Sequence, residues 1–346
     1  MKIVADPNIP FVREAFCPLG EISLVPGRQI TCEIVRDADV LLVRSVTPVS
    51  ESLLAGSKVK FVATATIGTD HVDEQYLANN GIGFSSAAGS NANSVAEYVV
   101  TVLLELADRH KFRLSEKTLG VIGVGNVGSM VVRYARALGM RVLQNDPPLG
   151  LLEPAVEADI VTLHVPLLDT TRHMFHHENL GGMFLINTSR GAVVDNRALL
   201  KSIDGDRIPA AVLDVWENEP NISPELLDVV DLGTPHIAGY SFDGKVNGTR
   251  MIYEAVCRHF KVPATWQPSM PVVSPLKVDG DDGLLEIIRQ AYDIRRDDAA
   301  LRASVRSFDK LRAEYPVRRE FHNMELVVRG GDKQLLDTLK SLGFRV

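Results

Sequence analysis

Short apolar runs rich in β-branched residues recur along the first quarter of the chain, and glycine, proline and polar stretches separate them. Four of these runs occupy residues 2–6, 39–45, 59–66 and 81–87. Runs of this length without strict polar alternation are typical of strands in a parallel sheet, which helices cover on both faces. The pattern therefore predicts a first α/β unit with helical crossovers.

The apolar spacing changes to a helical period between Ser94 and about His110. Ser94 and Glu97 have the spacing of a capping box, so we expect the helix to begin there. A second series of strand-like runs follows, in the stretches "LGVIGVG", "RVLQND", "DIVTLHVP", "MFLINTS" and "IPAAVLDVW". These runs predict a second α/β unit after the helix.

Beyond about Pro263 the proline-rich stretch "PATWQPSMPVVSP" leads into a tail of charged helical segments with one clear strand, "MELVVRG". We predict an α/β protein with two Rossmann-like doubly wound domains and a C-terminal α+β domain. The expected bounds are 1–92, completed by about 240–263, for the first domain, 93–239 for the second and 264–346 for the third.

The composition, 45% hydrophobic and 23% charged over 346 residues, is typical of a soluble globular protein with more than one core. No apolar run approaches the roughly 18 residues of a membrane span, and the opening "MKIVADPNIP" lacks the apolar core of a signal peptide, so we expect a cytoplasmic protein. The formal charge of −7 argues against a general nucleic-acid binder but leaves room for a basic pocket that binds a small anion. The three cysteines have no metal-binding or redox spacing.

The stretch "GVIGVGNVG" places Gly123, Gly125 and Gly128 where a strand leads into a helix. In a dinucleotide-binding turn, the first glycine permits the turn, the second lets the backbone approach a pyrophosphate, and the third lets the helix pack on the strand. Asn126 and Val127 then open the helix whose free N–H groups face the phosphates. Glycines gather at many tight turns, so the motif alone is weak.

Asp146 strengthens this interpretation because it ends the next strand-like run, "RVLQND". An acidic residue roughly 20 positions after the glycines is the usual partner of the adenosine ribose hydroxyls. A carboxylate there repels a 2′-phosphate. The two signals together predict NAD rather than NADP as the cofactor.

Three later polar residues are candidates for catalysis: Arg190 in "NTSRGAVVD", Glu219 in "LDVWENEP" and His236 in "GTPHIAGY". A guanidinium fork suits a carboxylate, an imidazole can accept a hydroxyl proton near neutral pH, and a carboxylate can hold the far N–H of that imidazole. Taken singly, each has a plainer explanation, as a structural ion pair, a charge before a proline and a hydrogen-bonded loop histidine. Together with a nicotinamide they describe the oxidation of a 2-hydroxy acid.

The order G-x-G-x-x-G, Asp, S-R-G, E-P, P-H resembles the D-isomer-specific 2-hydroxyacid dehydrogenase family over about three quarters of the chain. The resemblance implies a substrate domain followed by a coenzyme domain, with the active site in the cleft. It places Arg190, Glu219 and His236 on the catalytic arginine, glutamate and histidine of the family. The connections after Pro148 and near residues 171–180 are shorter than is usual in the family.

The stretches "RSVTPV", "ATIGTDHVD", "GSNANSVAEYV", "RGAVVDN" and "PHIAGYSFDGK" resemble one branch of this family, which oxidises 4-phospho-D-erythronate in bacterial vitamin B6 biosynthesis. That resemblance implies substrate contacts at Ser45, Thr66 and Tyr240, and an NAD site lined by Asp146, Thr188, Ser189, Arg190, Asp214 and Gly239. A hydroxyl after a basic residue at a strand end, as in Arg44 and Ser45, independently suits an anion. A solvated strand end is the plainer alternative.

The tail resembles the dimerisation domain of the same branch, and its modest apolar content predicts an isologous interface with a second chain. Tail arginines such as Arg295, Arg296 and Arg319 are candidates to approach a neighbouring substrate phosphate. Two other functions stay open: another 2-hydroxyacid dehydrogenase, such as a phosphoglycerate enzyme, and a dinucleotide-sensing corepressor. His173, His176 and His177 lack well-spaced further ligands, so we expect no metal.

Overall fold

The computed structural model describes residues 1–146, 155, 157–271 and 273–346; the connection after Pro148 lies outside them. Two compact units are present, one formed by Met1–Asn91 and Phe242–Val272, the other by Ala92–Ser241 and Val273–Val346. Among the described residues, no helix has both the length and the apolar character needed to cross a membrane.

The strands of the described residues are β1 (Lys2–Ala5), β2 (Glu21–Leu24), β3 (Val40–Val43), β4 (Phe61–Thr64), β5 (Gly83–Ser86), β6 (Thr118–Ile122), β7 (Arg141–Asn145), β8 (Ile160–Leu163), β9 (Phe184–Asn187), β10 (Ala210–Leu213), β11 (Leu232–Gly233), β12 (Leu276–Asp279) and β13 (Leu326–Arg329).

The helices are α1 (Val12–Phe16), α2 (Cys32–Val35), α3 (Glu51–Leu54), α4 (Glu74–Asn79), α5 (Ala92–Arg109), α6 (Asn126–Ala137), α7 (Asn196–Asp204), α8 (Pro224–Val229), α9 (Phe242–Phe260), α10 (Gly283–Ala291), α11 (Ile294–Ala303), α12 (Phe308–Ala313) and α13 (Lys333–Ser341).

The first unit contains a parallel sheet in the order β2-β1-β3-β4-β5. Every residue of β3 and β4 is buried, which explains why these strands appear in the sequence as uninterrupted apolar runs. The chain order reverses at β1, so the ends of β1 and β3 form the point where ligands collect in such sheets.

The second unit contains a six-stranded parallel sheet in the order β11-β10-β9-β8-β6-β7. β6 lies between β7 and β8, which places the chain reversal directly at the glycine-rich turn that follows β6. The two parallel sheets and the smaller C-terminal part confirm the predicted fold class.

The tail after residue 273 forms a two-stranded parallel sheet, β12 with β13, and packs its helices on α5 and α6. Its large apolar side chains, among them Ile287, Tyr292 and Phe321, are buried in the same cluster as Tyr98 of α5. The tail therefore completes much of its core within its own chain.

The predicted capping box at Ser94 and Glu97 is wrong, because α5 begins at Ala92 and both residues lie inside the helix. Their side chains bond to the tail instead. The Ser94 hydroxyl lies 2.5 Å from a Glu320 carboxylate oxygen, and the Glu97 carboxylate accepts a hydrogen bond from the Phe321 N–H at 2.7 Å. The two residues have the spacing of a capping box, but their side chains form hydrogen bonds with residues that are distant in the sequence.

Candidate functional site

The carboxyl ends of the second sheet bring most of the predicted site residues to one edge. Because the strands are parallel and neighbouring, residues that follow them lie side by side. In the order of the sheet, this edge carries Asp146 after β7, the glycine turn after β6, His164 after β8, Thr188, Ser189 and Arg190 after β9, Asp214 and Glu219 after β10, and His236 after β11.

The glycine turn has the geometry of a pyrophosphate cradle. Gly123 has a φ of 90°, and a Cβ there would lie 2.8 Å from the His164 carbonyl oxygen. A Cβ at Gly128 would lie 1.9 Å from the Gly123 oxygen, so the helix can only pack this closely without a side chain. Around Gly125, by contrast, no atom of the described residues apart from its chain neighbours lies within 4 Å of the position that a Cβ would take. The backbone before Asn126, the first residue of α6, therefore faces open space.

Asp146 lies beside this turn. The Gly123 N–H donates to the carbonyl oxygen of Asn145 at 2.8 Å, which ties the turn to the end of β7. Asp146 is the next residue and is partly exposed. Its position at the carboxyl end of the strand beside β6 is the one from which a carboxylate reaches an adenosine ribose.

His164, which the sequence analysis did not single out, connects two strands at the same edge. Its Nε2 lies 3.0 Å from the Thr162 hydroxyl and its Nδ1 lies 3.2 Å from the Thr188 hydroxyl. Burial lowers the pKa of His164 to about 3, so the ring is neutral at physiological pH. A neutral imidazole thus orients Thr188, one of the residues predicted to line the NAD site.

Glu219 and His236 form a direct pair. The Nδ1 of His236 lies 2.7 Å from Oε2 of Glu219, and the Trp216 N–H donates to Oε1 at 2.9 Å. Burial raises the pKa of Glu219, but the hydrogen bond and charge of His236, the Trp216 N–H and the charge of Arg312 outweigh it and leave the pKa below its usual value. An ionised Glu219 accepts a hydrogen bond from Nδ1–H of His236. The proton therefore stays on Nδ1, and Nε2 is the basic nitrogen of the ring.

Arg190 follows β9, next to the strand that leads to Glu219. Its Nη1 donates to the Ser189 carbonyl oxygen at 2.8 Å, and Asn187 donates to the Arg190 carbonyl oxygen at 3.0 Å. A Cβ on Gly191 would lie 1.9 Å from the Trp216 carbonyl oxygen, so the two backbones are in close contact. This contact brings Arg190 close in space to the segment that carries Glu219.

Asp214 anchors the loop that carries His236. Its buried carboxylate accepts hydrogen bonds from the N–H groups of Ile237 and Ala238, at 2.7 and 2.9 Å, and from the Thr234 hydroxyl at 2.6 Å. His236 itself has a φ of 56°, a conformation that such a clamp stabilises. The carboxylate thus has a structural task, and its predicted contact with NAD stays a prediction, as does that of the partly buried Gly239.

The tail contacts the same loop, which the sequence analysis did not foresee. The buried Arg318 donates from Nη2 to the carbonyl oxygens of Ala238 and Ser94, at 2.6 and 3.1 Å. Its guanidinium carbon lies 4.5 Å from the centre of the Tyr292 ring. Tyr240, a predicted substrate contact, packs edge-to-face on Tyr315 with 5.9 Å between ring centres. The tail therefore supports the loop that carries His236, which we call the histidine loop, within one chain.

The predicted substrate residues of the first unit lie at the carboxyl ends of β3 and β4. The Arg44 Nε lies 3.5 Å from the buried Asp6 carboxylate, and Ser45 is exposed beside it. The hydroxyls of Thr66 and Thr64 lie 2.7 Å apart. The Thr64 hydroxyl also lies 3.1 Å from Nε2 of His71. Arg44 is therefore paired with Asp6, and the substrate contacts of Ser45 and Thr66 stay predictions.

The histidines considered for a metal each have a separate contact, for example His173 with Glu217 at 2.8 Å. Among the described residues, one other group has ligand atoms within 4.8 Å of one another: Glu97, Glu320 and His322. Burial raises the pKa of Glu97 well above its usual value, and the nearby Glu320 raises it further. Both carboxyl groups have protein partners: Glu97 accepts a hydrogen bond from the Asn93 side-chain amide at 2.8 Å, and Glu320 accepts one from the Ser94 hydroxyl at 2.5 Å.

Two family models match the chain. The NAD binding domain of the D-isomer specific 2-hydroxyacid dehydrogenases matches residues 94–238, and a domain of unknown function, DUF3410, matches residues 265–343. Among solved structures, the D-lactate dehydrogenase of Aquifex aeolicus in complex with NAD and lactic acid is similar, with a TM-score of 0.63 and 26% identity over 75% of this chain and 96% of that chain. The prediction that the cofactor is NAD is confirmed, whereas the contacts assigned to the glycine turn and Asp146 stay predictions.

Curated relatives match over the whole length. The chain is 44% identical to the erythronate-4-phosphate dehydrogenase of Marinobacter nauticus, with 100% of both chains covered. It is 46% identical to that of Proteus mirabilis, over 94% of this chain and 95% of the relative. The match to the Marinobacter nauticus relative includes the tail, since it covers the whole of this chain.

Proposed function

The chain belongs to the erythronate-4-phosphate dehydrogenase family, and we propose that it oxidises the C2 hydroxyl of 4-phospho-D-erythronate to give 2-oxo-3-hydroxy-4-phosphobutanoate, in pyridoxal 5′-phosphate biosynthesis. It is an NAD-dependent oxidoreductase of the 2-hydroxyacid dehydrogenase type. The contact of 2.7 Å between Glu219 and His236 is the observation that carries the proposed chemistry.

The residues at the sheet edge fit NAD. The open backbone at Gly125 and the start of α6 suit the pyrophosphate, and Asp146 suits the adenosine ribose. Thr188, Ser189 and Gly239, further along the same edge, complete the proposed coenzyme site. NAD, when bound, supplies the acceptor for the C2 hydride.

The protein's own groups move the proton and orient the substrate. Nε2 of His236 takes the C2 hydroxyl proton, while the Glu219 carboxylate holds Nδ1–H and stabilises the imidazolium that forms. The guanidinium fork of Arg190 holds the C1 carboxylate so that C2 is presented in one orientation. Ser45, Thr66 and Tyr240, with Arg44, are the proposed further substrate contacts.

This activity is tested with the purified full-length chain, NAD and 4-phospho-D-erythronate. NADH formation is followed by absorbance, and the product is identified by mass spectrometry as the 2-oxo acid with its phosphate retained. Reduction of NAD without oxidation at C2 contradicts the proposal.

In the same proposal the enzyme acts in the cytoplasm as a homodimer, with residues 264–346 at the interface. Support comes from two valines of the tail that remain exposed, Val317 at 71% and Val327 at 43%. Val327→Glu is expected to convert the dimer to a monomer in light scattering, whereas Ile34→Glu, at an exposed residue of the first unit, leaves the mass unchanged. Val317→Glu is the second variant of this test. If the mass is unchanged both in Val327→Glu and in Val317→Glu, this interface is contradicted.

A further inference from the structure

Arg312 of α12 places a cation from the tail beside the proposed catalytic pair. Its guanidinium carbon lies 5.5 Å from the centre of the Tyr240 ring and 6.0 Å from that of Phe308. Its charge also contributes to the lowered pKa of Glu219. Tyr240 and Glu219 belong to the part of the chain predicted to bind and oxidise the substrate, so the arginine lies at the same site.

The guanidinium of Arg312 is incompletely satisfied by the protein. Its Nε is buried and has no hydrogen-bond partner among the described residues. Its Nη1 reaches Asp309 at 3.9 Å, but the Asp309 side chain is 62% exposed, and such a contact contributes little. A buried N–H without an acceptor is unfavourable, and an anionic ligand that accepts from it removes this cost.

Several other arginines of the tail are paired with protein carboxylates, and the buried Arg318, whose Nε and Nη1 also lack a partner among the described residues, donates to the carbonyl oxygens of Ala238 and Ser94. Three of the paired arginines have side-chain hydrogen bonds between 2.7 and 3.0 Å: Arg289 with Glu105, Arg295 with Asp293, and Arg302 with Asp298. Arg296 is 86% exposed, and its contact with Asp293 is 3.7 Å long. Arg312 differs from all of these because its carboxylate contact is long while its Nε is buried beside Tyr240.

Resting on the function proposed above, we propose that Arg312 binds the terminal phosphate of the substrate and so selects phosphorylated 2-hydroxy acids. The substrate has two anionic ends, and Arg190 is assigned to the carboxylate. A phosphate monoester carries a charge of about −1.5 to −2 at neutral pH and offers several acceptor oxygens, which a planar guanidinium binds in a forked arrangement. The aromatic ring of Tyr240 holds the guanidinium in place from one side.

If Arg312 acts through Glu219 rather than by binding the phosphate, its substitution changes the kinetics in a different way. If Arg312 acted only by stabilising the Glu219 carboxylate, its loss would change the basicity of His236 and slow the oxidation of every substrate. If Arg312 binds the phosphate, its loss affects only ligands that carry one. The two roles are separated by comparing matched substrates with and without the phosphate.

The test uses the full-length enzyme and the variant Arg312→Gln, with Arg306→Gln at an exposed position of the same tail as the matched control. For 4-phospho-D-erythronate, Arg312→Gln is expected to lower kcat/KM by about 10- to 100-fold, mainly through KM, the size of a charge-assisted contact. For D-erythronate it is expected to stay within about twofold of the wild type. Arg312→Lys should recover part of the loss, because the charge remains and the fork does not.

Inorganic phosphate provides a second readout that needs no turnover of D-erythronate. It is used as an inhibitor that competes with 4-phospho-D-erythronate. In Arg312→Gln its inhibition constant is expected to rise by about the same factor as the KM for 4-phospho-D-erythronate. In Arg306→Gln the inhibition constant is expected to stay unchanged. Parallel losses for both substrates with a shifted pH profile, or an unchanged inhibition constant for phosphate, overturn the assignment of Arg312. A wild-type enzyme that oxidises neither substrate contradicts the proposed function instead.

Discussion

Nδ1 of His236 lies 2.7 Å from Oε2 of Glu219, and the Trp216 N–H holds the second carboxylate oxygen at 2.9 Å. Both carboxylate oxygens are therefore held by hydrogen bonds, and an ionised carboxylate, which has no proton to donate, can only accept from Nδ1–H. The basic nitrogen of the imidazole is then Nε2, which is free to face a substrate hydroxyl. In the proposed function, this relationship makes His236 the residue that moves the proton and Glu219 the residue that orients it.

The first prediction concerns Glu219→Gln. An amide N–H in place of the carboxylate favours the wrong tautomer of His236, so kcat is expected to fall by about 10²-fold or more while NAD affinity is retained. Steady-state kinetics and NADH fluorescence titration measure the two quantities. Glu225→Gln, at an exposed position on α8, is the control. A kcat within about threefold of the wild type would show that the pair does not set the proton transfer.

The second prediction concerns Asp146→Ala. Asp146 follows Asn145, whose carbonyl oxygen accepts a hydrogen bond from the glycine turn, so loss of its carboxylate is expected to weaken NAD binding and to relax discrimination against NADP. The ratio of kcat/KM for NAD to that for NADP is the relevant measurement. If this ratio is unchanged, the ribose is bound elsewhere.

The third prediction concerns Arg318→Met, which removes the donor to the Ala238 and Ser94 carbonyl oxygens while keeping much of the side-chain volume. The histidine loop is expected to lose its support, so kcat falls and the free energy of unfolding decreases by about 1–3 kcal/mol. NAD affinity is expected to persist. Arg318 is a positioning residue, and the pH profile of kcat should shift as the loop loosens. A variant with lower stability but an unchanged kcat and profile would limit Arg318 to a structural role.

The fourth prediction concerns pH and His164. Its pKa is lowered from 6.5 to about 3 in the folded protein, because burial disfavours the charged ring. Between these values the unfolded chain binds a proton that the folded protein does not, so stability is lost as the pH falls from about 6.5 toward 3. His164→Asn is expected to show a flatter dependence of the unfolding free energy on pH over pH 4 to 7, measured by denaturant titration. Equal slopes in the two proteins would contradict the neutral, buried histidine.

The main strands could be predicted from the sequence because their signal is local. The apolar runs that became β3 and β4 are buried on both faces, and the helix that became α5 has a clear period. The strands β2 and β12 were not predicted, since "EISL" and "LKVD" are short and mix polar with apolar residues, whereas β13 was predicted from the apolar run in "MELVVRG". Part of the candidate site could be predicted for the same reason. The glycine turn and Asp146 form a local motif whose spacing follows from one strand-turn-helix unit.

The remaining site residues depend on contacts between distant parts of the chain. Arg312 and Arg318 lie in a tail rich in arginine, and nothing local distinguishes them from Arg295, which is paired with Asp293. Only the packing of the tail beside Tyr240 and Ala238 does so. The false capping box at Ser94 and Glu97 has the same origin, because the partners of those side chains are more than 200 positions away.

The most direct test of the account is a comparison of kcat/KM with NAD for 4-phospho-D-erythronate, 3-phospho-D-glycerate and D-lactate, using the full-length enzyme. We expect kcat/KM for 4-phospho-D-erythronate to exceed that for both others by at least about 100-fold, since the relatives that match over the full length are erythronate-4-phosphate dehydrogenases. An equal or higher value for 3-phospho-D-glycerate, or tight NAD binding without oxidation of any of the three acids, would contradict it.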